Sequence, residues 1–218
     1  MSYILKHRDR TLLRFNLTSD PIAGLSAEIL ESNSSCQPLF PLDLDPTDTG
    51  LLQWLKRRVI PRNRAFVQSF LAKLGLNVND AKGIIDICRG LSLIDCYWVA
   101  DESFDGTFAR YNLYENRFGR ILSLIAYTGY GDSIRSAFAS TPELTTGGML
   151  ATCWRRTGGK IILYKAGSAG AANAGNEPYS EFYAWQIAQA MGLNAVEYNL
   201  RQWKGRLCST CELYRPQK

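Results

Sequence analysis

The stretch from Leu144 to Gly192 constrains the fold of this chain most strongly, because it alternates strand-like apolar runs with glycine turns and then becomes helical. A strand is expected from Met149 to Arg155 and another from Ile161 to Lys165, with Gly158-Gly159 as the tight turn between them. A loop of small residues follows, and the pattern then predicts a helix from Pro178 to Met191. The stretch therefore predicts an antiparallel hairpin followed by a helix.

Three polar features of this stretch predict an anion site. Thr146, Gly147 and Gly148 form a turn whose backbone N–H groups can approach an anion. Lys165 ends an apolar strand and can reach the same anion, and Glu181 lies in the first turn of the next helix, where it can orient the lysine. Kinases use such a lysine–glutamate pair to position nucleotide phosphates. These five residues are therefore the predicted nucleotide site.

Short motifs are spread over roughly residues 50 to 214, and they are Asn63-Arg64-Ala65-Phe66, Lys82-Gly83-Ile84-Ile85-Asp86, Tyr111-Asn112-Leu113-Tyr114-Glu115-Asn116, Glu143-Leu144-Thr145-Thr146-Gly147-Gly148-Met149-Leu150, Leu163-Tyr164-Lys165 and Glu177-Pro178-Tyr179-Ser180-Glu181-Phe182-Tyr183-Ala184. Together they resemble the amino-terminal lobe of HipA-like serine/threonine kinases, the toxin halves of bacterial toxin–antitoxin pairs. Where related sequences usually carry a lysine just after the glycine turn, this chain has Ala151-Thr152-Cys153.

The resemblance implies an α+β fold, with a kinase-like small lobe of antiparallel sheet plus regulatory helix. It implies ATP as the cofactor, together with Mg²⁺ in the complete kinase. By the same resemblance, Lys165 is the lysine that contacts the ATP phosphates and Glu181 is its partner. It also implies an antitoxin as a possible protein partner.

Phosphoryl transfer needs further groups, namely a catalytic Asp and metal-binding Asp or Asn residues from a second lobe. The sole histidine, in His7-Arg8-Asp9, precedes the predicted small lobe, and no Asp follows Glu181 before the last residue, Lys218, so nothing after Glu181 can supply the catalytic Asp. We therefore interpret the chain as the ATP-binding half of a kinase, truncated or split, and incomplete without its missing catalytic lobe. The alternative is a non-catalytic module that docks a partner kinase, an antitoxin or nucleic acid. Enzymatic activity of the chain alone stays open.

The sequence predicts three domains. Residues 1–47 form an N-terminal β-rich segment, in which the runs Tyr3–Leu5 and Leu12–Phe15 make a β-hairpin. Residues 48–140 form a helical subdomain, and residues 141–218 form the kinase-like small lobe. Prolines and serines between residues 31 and 47 mark the first boundary.

The helical subdomain is expected to contain a packet of three short helices capped by Asp48, Asn63 and Asn79. Such a packet raises the alternative of a helix-turn-helix unit. The basic residues between Lys56 and Arg64 lack interleaved aromatic or polar base readers on the same face. We therefore interpret them as a solvated helix end and predict no direct contact with nucleic acid.

Composition indicates whether the chain has a membrane span, disulfides or a metal site. The chain has 218 residues, of which 46% are hydrophobic, and no apolar run approaches the 18 residues of a membrane span. Its six cysteines are scattered, which favours reduced thiols and a cytoplasmic location. Cys208 and Cys211 have the spacing of a zinc pair, but strand residues three apart point to opposite faces and no second pair exists. We therefore predict no metal site.

Overall fold

The computed structural model describes residues 2–20, 22–132, 141–170 and 174–214. It confirms the predicted α+β class, with two four-stranded antiparallel sheets and helices around them. The chain divides into two compact units, which are residues 1–62, 71–119 and 134–147 for the first and residues 63–70, 120–133 and 148–218 for the second.

The sheet of the first unit confirms the predicted N-terminal hairpin and extends it. Its strands are β1 (Ser2–His7), β2 (Arg10–Asp20), β3 (Gly24–Ser32) and β4 (Tyr97–Asp101), in the spatial order β3-β2-β1-β4. Tyr3 lies opposite Phe15 on one side and opposite Asp101 on the other. Apolar residues that alternate along β1 and β2, such as Leu5, Leu13 and Phe15, are fully buried.

The first four α-helices are α1 (Asp48–Arg57), α2 (Val67–Ala72), α3 (Ala81–Cys88) and α4 (Phe108–Tyr111). The caps differ from the prediction. Thr47, one residue before Asp48, accepts a hydrogen bond from the Gly50 N–H at 3.1 Å, and Asp80 rather than Asn79 accepts one from the Gly83 N–H at 2.8 Å. Each observed cap lies one residue from the predicted one.

Helices and strands of the first unit share one core. Leu51, Trp54 and Leu55 of α1 and Ile85 of α3 pack in the same buried cluster as the apolar residues of β1 and β2. The compact units therefore follow bounds other than 1–47, 48–140 and 141–218, and that division into three domains stays a prediction.

Two arginines correct the expectation of a solvated basic run between Lys56 and Arg64. Arg58 is 7% exposed, donates to two backbone carbonyls of the first unit, and pairs with Asp95 at 2.7 Å. Arg64 is 3% exposed and, within the second unit, donates to the Thr152 carbonyl at 3.1 Å. A buried guanidinium group has five N–H donors that need acceptors. Because protein carbonyls and carboxylates supply acceptors here, both side chains cross-link parts of the fold instead of facing solvent.

The second unit contains α5 (Arg120–Thr128), β5 (Thr152–Thr157), β6 (Lys160–Ala166), α6 (Glu177–Ala190), β7 (Tyr198–Trp203) and β8 (Arg206–Glu212). Its strands lie in the order β5-β6-β8-β7, and each pair is antiparallel. Thus β8, the last strand among the described residues, lies between β6 and β7.

The predicted hairpin of the second unit is present, with one correction. Gly158 and Gly159 both have positive φ, +57° and +79°, as a tight two-residue hairpin turn requires. The first strand begins at Thr152, so the prediction that it starts at Met149 is wrong. The Met149 carbonyl instead accepts a hydrogen bond from the Ala65 N–H at 2.7 Å, which takes it out of the β5–β6 pairing.

The face of this sheet that carries Cys153 and Tyr164 is closed by α5. Tyr127 of α5 is fully buried beside Cys153, Tyr164 and Cys208, and its ring lies 4.4 Å from that of Trp203. The other face carries Lys165 and lies under α6, because adjacent residues of a strand point to opposite sides.

Candidate functional site

An ion pair between Lys165 and Glu181 lies at the centre of the α6-covered face. Lys165 is the next-to-last residue of β6, and Glu181 lies one turn into α6. The Lys165 Nζ donates to Glu181 Oε1, and the two side chains are 32% and 21% exposed. The structure therefore brings together these two residues of the predicted site.

The start of α6 is tied to the loop that precedes it. Glu177, the first residue of the helix, accepts a hydrogen bond from the Ser168 N–H at 3.0 Å. Hydrogen bonds from Ser168 stabilise the charged carboxylate and hold the pKa of Glu177 below its ordinary value. This contact fixes the entry of the helix and so limits where Glu181, one turn later, can lie.

Glu181 has a second partner that the sequence analysis did not identify. Ser209 of β8 donates its hydroxyl to Glu181 Oε2. Ser209 lies directly opposite Lys165 in the β6–β8 pairing and is 1% exposed. One carboxylate therefore bridges two neighbouring strands, with one oxygen for each.

Two further ionisable groups share this face. Burial raises the pKa of the Cys211 thiol, and the nearby Glu181 carboxylate raises it further. The pKa of Tyr198 is also raised, first by burial and then by the negative charges of Cys211, once its thiol ionises, and of Glu181. Both groups are therefore neutral near pH 7 and add no charge beside the Lys165–Glu181 ion pair.

The Thr/Gly turn follows a short 3-10 turn from Pro142 to Leu144 and precedes β5. The Thr146 hydroxyl donates to the Pro142 carbonyl at 2.7 Å. A Cβ added at Gly147 or Gly148 would meet nothing within 4 Å, and Gly148 has a φ of +96°. Thr146 and Gly147 belong to the first compact unit, so their part in the site stays a prediction.

A metal site is not formed by the residues that the structure describes, since they contain no group of three or more His, Cys, Asp or Glu side chains suited to a metal ion. All six cysteines are free thiols. Cys208 is fully buried in the α5-covered core whereas Cys211 is half-buried, as expected for strand residues three apart. No helix in the described ranges is long and apolar enough to cross a membrane.

Comparison with solved structures finds proteins of similar fold. No family model and no curated protein matches the chain. Its fold is similar to that of a chain in the complex of the toxin–antitoxin system HipA, HipB and its operator DNA from Shewanella oneidensis MR-1. The TM-score is 0.50 at 13% identity, over 96% of this chain and 50% of that chain. The fold is thus HipA-like, and the chain spans about half the length of this neighbour.

Proposed function

We propose that the second unit binds the phosphates of ATP, with Lys165 as the phosphate ligand and Glu181 as the residue that orients it. The observation that carries this proposal is the ion pair itself, formed on a partly exposed face between a strand lysine and a helix glutamate. Kinases hold their phosphate-binding lysine in this way.

The donors of Lys165 fit a phosphate ligand. A lysine ammonium has three N–H donors, and Glu181 is its acceptor among the described residues. Two donors therefore remain for phosphate oxygens, and the side chain is 32% exposed, so an anion can reach it. Because the ion pair is neutral as a whole, we expect weak ATP binding, with a Kd on the order of 0.1 to 1 mM, or about −4 to −5.5 kcal/mol.

Mg²⁺ does not fit the described residues, which offer no cluster of carboxylates for it. Phosphoryl transfer also needs an Asp to accept the proton of the substrate hydroxyl. We therefore propose that the chain supplies the nucleotide-binding half of a HipA-like serine/threonine kinase, and that a second lobe brings the metal ligands and the base. The chain alone is then expected to transfer no phosphate.

The partners follow from the same proposal. The structural neighbour comes from a complex that contains HipB and operator DNA. We propose that this chain likewise works in a toxin–antitoxin pair, with an antitoxin as partner and no direct contact between this chain and DNA.

Isothermal calorimetry with ATP tests the phosphate site. Lys165→Ala is expected to weaken ATP binding at least tenfold, because it removes the positive charge and all three donors. The matched control is Lys160→Ala on the same strand, whose side chain is 63% exposed and pairs with Glu212. The control should bind like the wild type. Micromolar affinity that survives Lys165→Ala would place the nucleotide elsewhere.

A further inference from the structure

We infer that Ser209 is a positioning residue for the Lys165–Glu181 pair, a role that rests on the function proposed above. Its hydroxyl holds Glu181 in place before any nucleotide arrives. The phosphate-binding lysine is thereby oriented through a chain of two contacts, from Ser209 to Glu181 and from Glu181 to Lys165.

The strand pairing places Ser209 where it can do this. Lys165 and Ser209 are direct partners in the antiparallel pairing of β6 and β8, so their side chains leave the sheet on the same face and next to each other. The Ser209 hydroxyl also lies 3.5 Å from the Lys165 carbonyl. Backbone hydrogen bonds therefore fix the distance between the two residues that share Glu181.

Packing alone fixes α6 weakly. Pro178 is the one residue of the helix that is buried, and the residues on its sheet-facing side, such as Glu181, Phe182 and Trp185, are only half-buried. A helix held so loosely can turn or shift, and its glutamate would then leave the lysine. The two carboxylate contacts tie the helix to β6 and β8 at once, which a single ion pair cannot do.

The donor is a neutral hydroxyl, and that suits the task. A second cation beside Glu181 would compete with Lys165 for the carboxylate, whereas a serine O–H donates to one oxygen and leaves the other to the lysine. Because Ser209 is 1% exposed, water cannot readily replace the hydroxyl once it is removed.

Substitutions test the role through ATP affinity. Ser209→Ala is expected to weaken ATP binding about fivefold, which corresponds to about 1 kcal/mol. Ser209→Thr keeps the hydroxyl and is expected to restore affinity to within about twofold. In a Glu181→Ala background, Ser209→Ala should have no further effect, because the contact that it removes is already gone.

The adjacent residue on β8 provides a matched control. Thr210 is 3% exposed, and its hydroxyl donates to the Asn199 carbonyl at 3.3 Å, away from Glu181. Thr210→Val removes a buried hydroxyl from the same strand without touching the ion pair. Equal losses of ATP affinity in Thr210→Val and Ser209→Ala would show that the strand is merely disturbed, and would overturn the positioning role.

A measurement without nucleotide separates this role from the proposed function. The ammonium signal of Lys165 in the NMR spectrum of the ¹⁵N-labelled full chain, assigned by its loss in Lys165→Arg, reports on whether the pair is held. A sharp signal is expected in the wild type and in Thr210→Val, and a broadened one in Ser209→Ala.

The outcomes are distinct. A Ser209-dependent signal in a chain that does not bind ATP would sink the nucleotide proposal and leave the positioning role standing. A signal that is unchanged in Ser209→Ala, or that is absent from the wild type, would overturn the positioning role whatever the ATP titration shows.

Discussion

The two faces of the β5–β8 sheet are covered by helices that are buried to very different extents. Under α5 the interface is closed, and the buried residues of that helix are Leu122, Ser123, Ile125, Ala126 and Tyr127. Under α6 the interface is open, with Pro178 as the buried residue of that helix and the Lys165–Glu181 pair partly exposed. The same sheet therefore carries a packed apolar face and a polar, accessible one.

Under the proposed function, the difference assigns stability and binding to opposite faces of the sheet in the second unit. Apolar area removed from water is the main source of folding free energy, and the α5 face supplies it. A site for an anion instead needs charges that solvent and ligand can reach. The outer side of α6 adds an exposed stripe at helical spacing, made of Tyr179, Tyr183, Ile187 and Met191.

The largest expected effect is on the closed face. Tyr127→Ala should lower the free energy of unfolding by about 3–5 kcal/mol, because it empties a fully buried site between aromatic rings. Tyr183→Ala, on the exposed stripe of α6, should change it by no more than about 0.5 kcal/mol. Urea denaturation of the two variants measures the contrast. Similar losses would mean that α6 is as firmly packed as α5.

Alkaline pH gives the next effect. Burial raises the pKa of Tyr127, so the unfolded chain loses the phenol proton near pH 10 while the folded chain keeps it. The free energy of unfolding is therefore unaffected by ionisation of this group below about pH 10. As the pH rises further, the free energy of unfolding falls by at most about 1.4 kcal/mol per pH unit. In Tyr127→Phe, the free energy of unfolding should fall less steeply above about pH 10.

Tyr198, on the face under α6, contributes to the same dependence of the free energy of unfolding on pH, since its pKa is also raised by burial. Tyr198→Phe should therefore flatten the alkaline loss as well, and the double variant should flatten it most. Urea midpoints measured between pH 8 and 11 test both residues. An unchanged slope in both variants would mean that the alkaline loss arises elsewhere in the chain.

The smallest expected effect concerns the exposed stripe of α6. A contiguous apolar surface of this kind promotes association. Light scattering should give a mass above the 24.4 kDa monomer as the concentration rises. Ile187 and Met191 are 59% and 66% exposed. Replacing both by lysine should raise the concentration needed for association about tenfold, which corresponds to about 1.4 kcal/mol of association free energy. A monodisperse wild-type monomer at high concentration would contradict this expectation.

Much of the open face followed from the sequence, because its features are local. Two glycines with alternating apolar residues on either side specify a hairpin, and 16 positions separate Lys165 from Glu181 across one loop. A strand end and the first turns of the next helix are then close in space. The pairing of these two residues could therefore be predicted from their order and spacing.

Ser209 could not be predicted in this way. A serine inside a strand pattern carries no signal of its own, and its place beside Lys165 depends on β8 inserting between β6 and β7. Sequence order alone would pair β6 with β7. The position of Ser209 is therefore a consequence of topology, which depends on contacts between residues far apart in the chain.

The predicted cap at Asn63 failed for a different reason. Phe66 has a φ of +62°, so the backbone leaves helical geometry just before Val67, where α2 begins. Its ring lies against Gly129, where an added Cβ would be only 2.8 Å from Phe66 Cδ1. Tertiary packing against a glycine therefore overrides the local capping signal at Asn63.

The most direct test of the account is chemical labelling of the amine that contacts the phosphates. An ATP derivative with an acyl group on its terminal phosphate transfers that group to a nearby lysine, which peptide mass spectrometry then locates. We expect acylation of Lys165, suppressed by about 10 mM ATP, roughly ten or more times the expected Kd, with Lys160 on the same strand unlabelled. Labelling of Lys160 and Lys165 at equal rates, undiminished by ATP, would contradict a phosphate site at the Lys165–Glu181 pair.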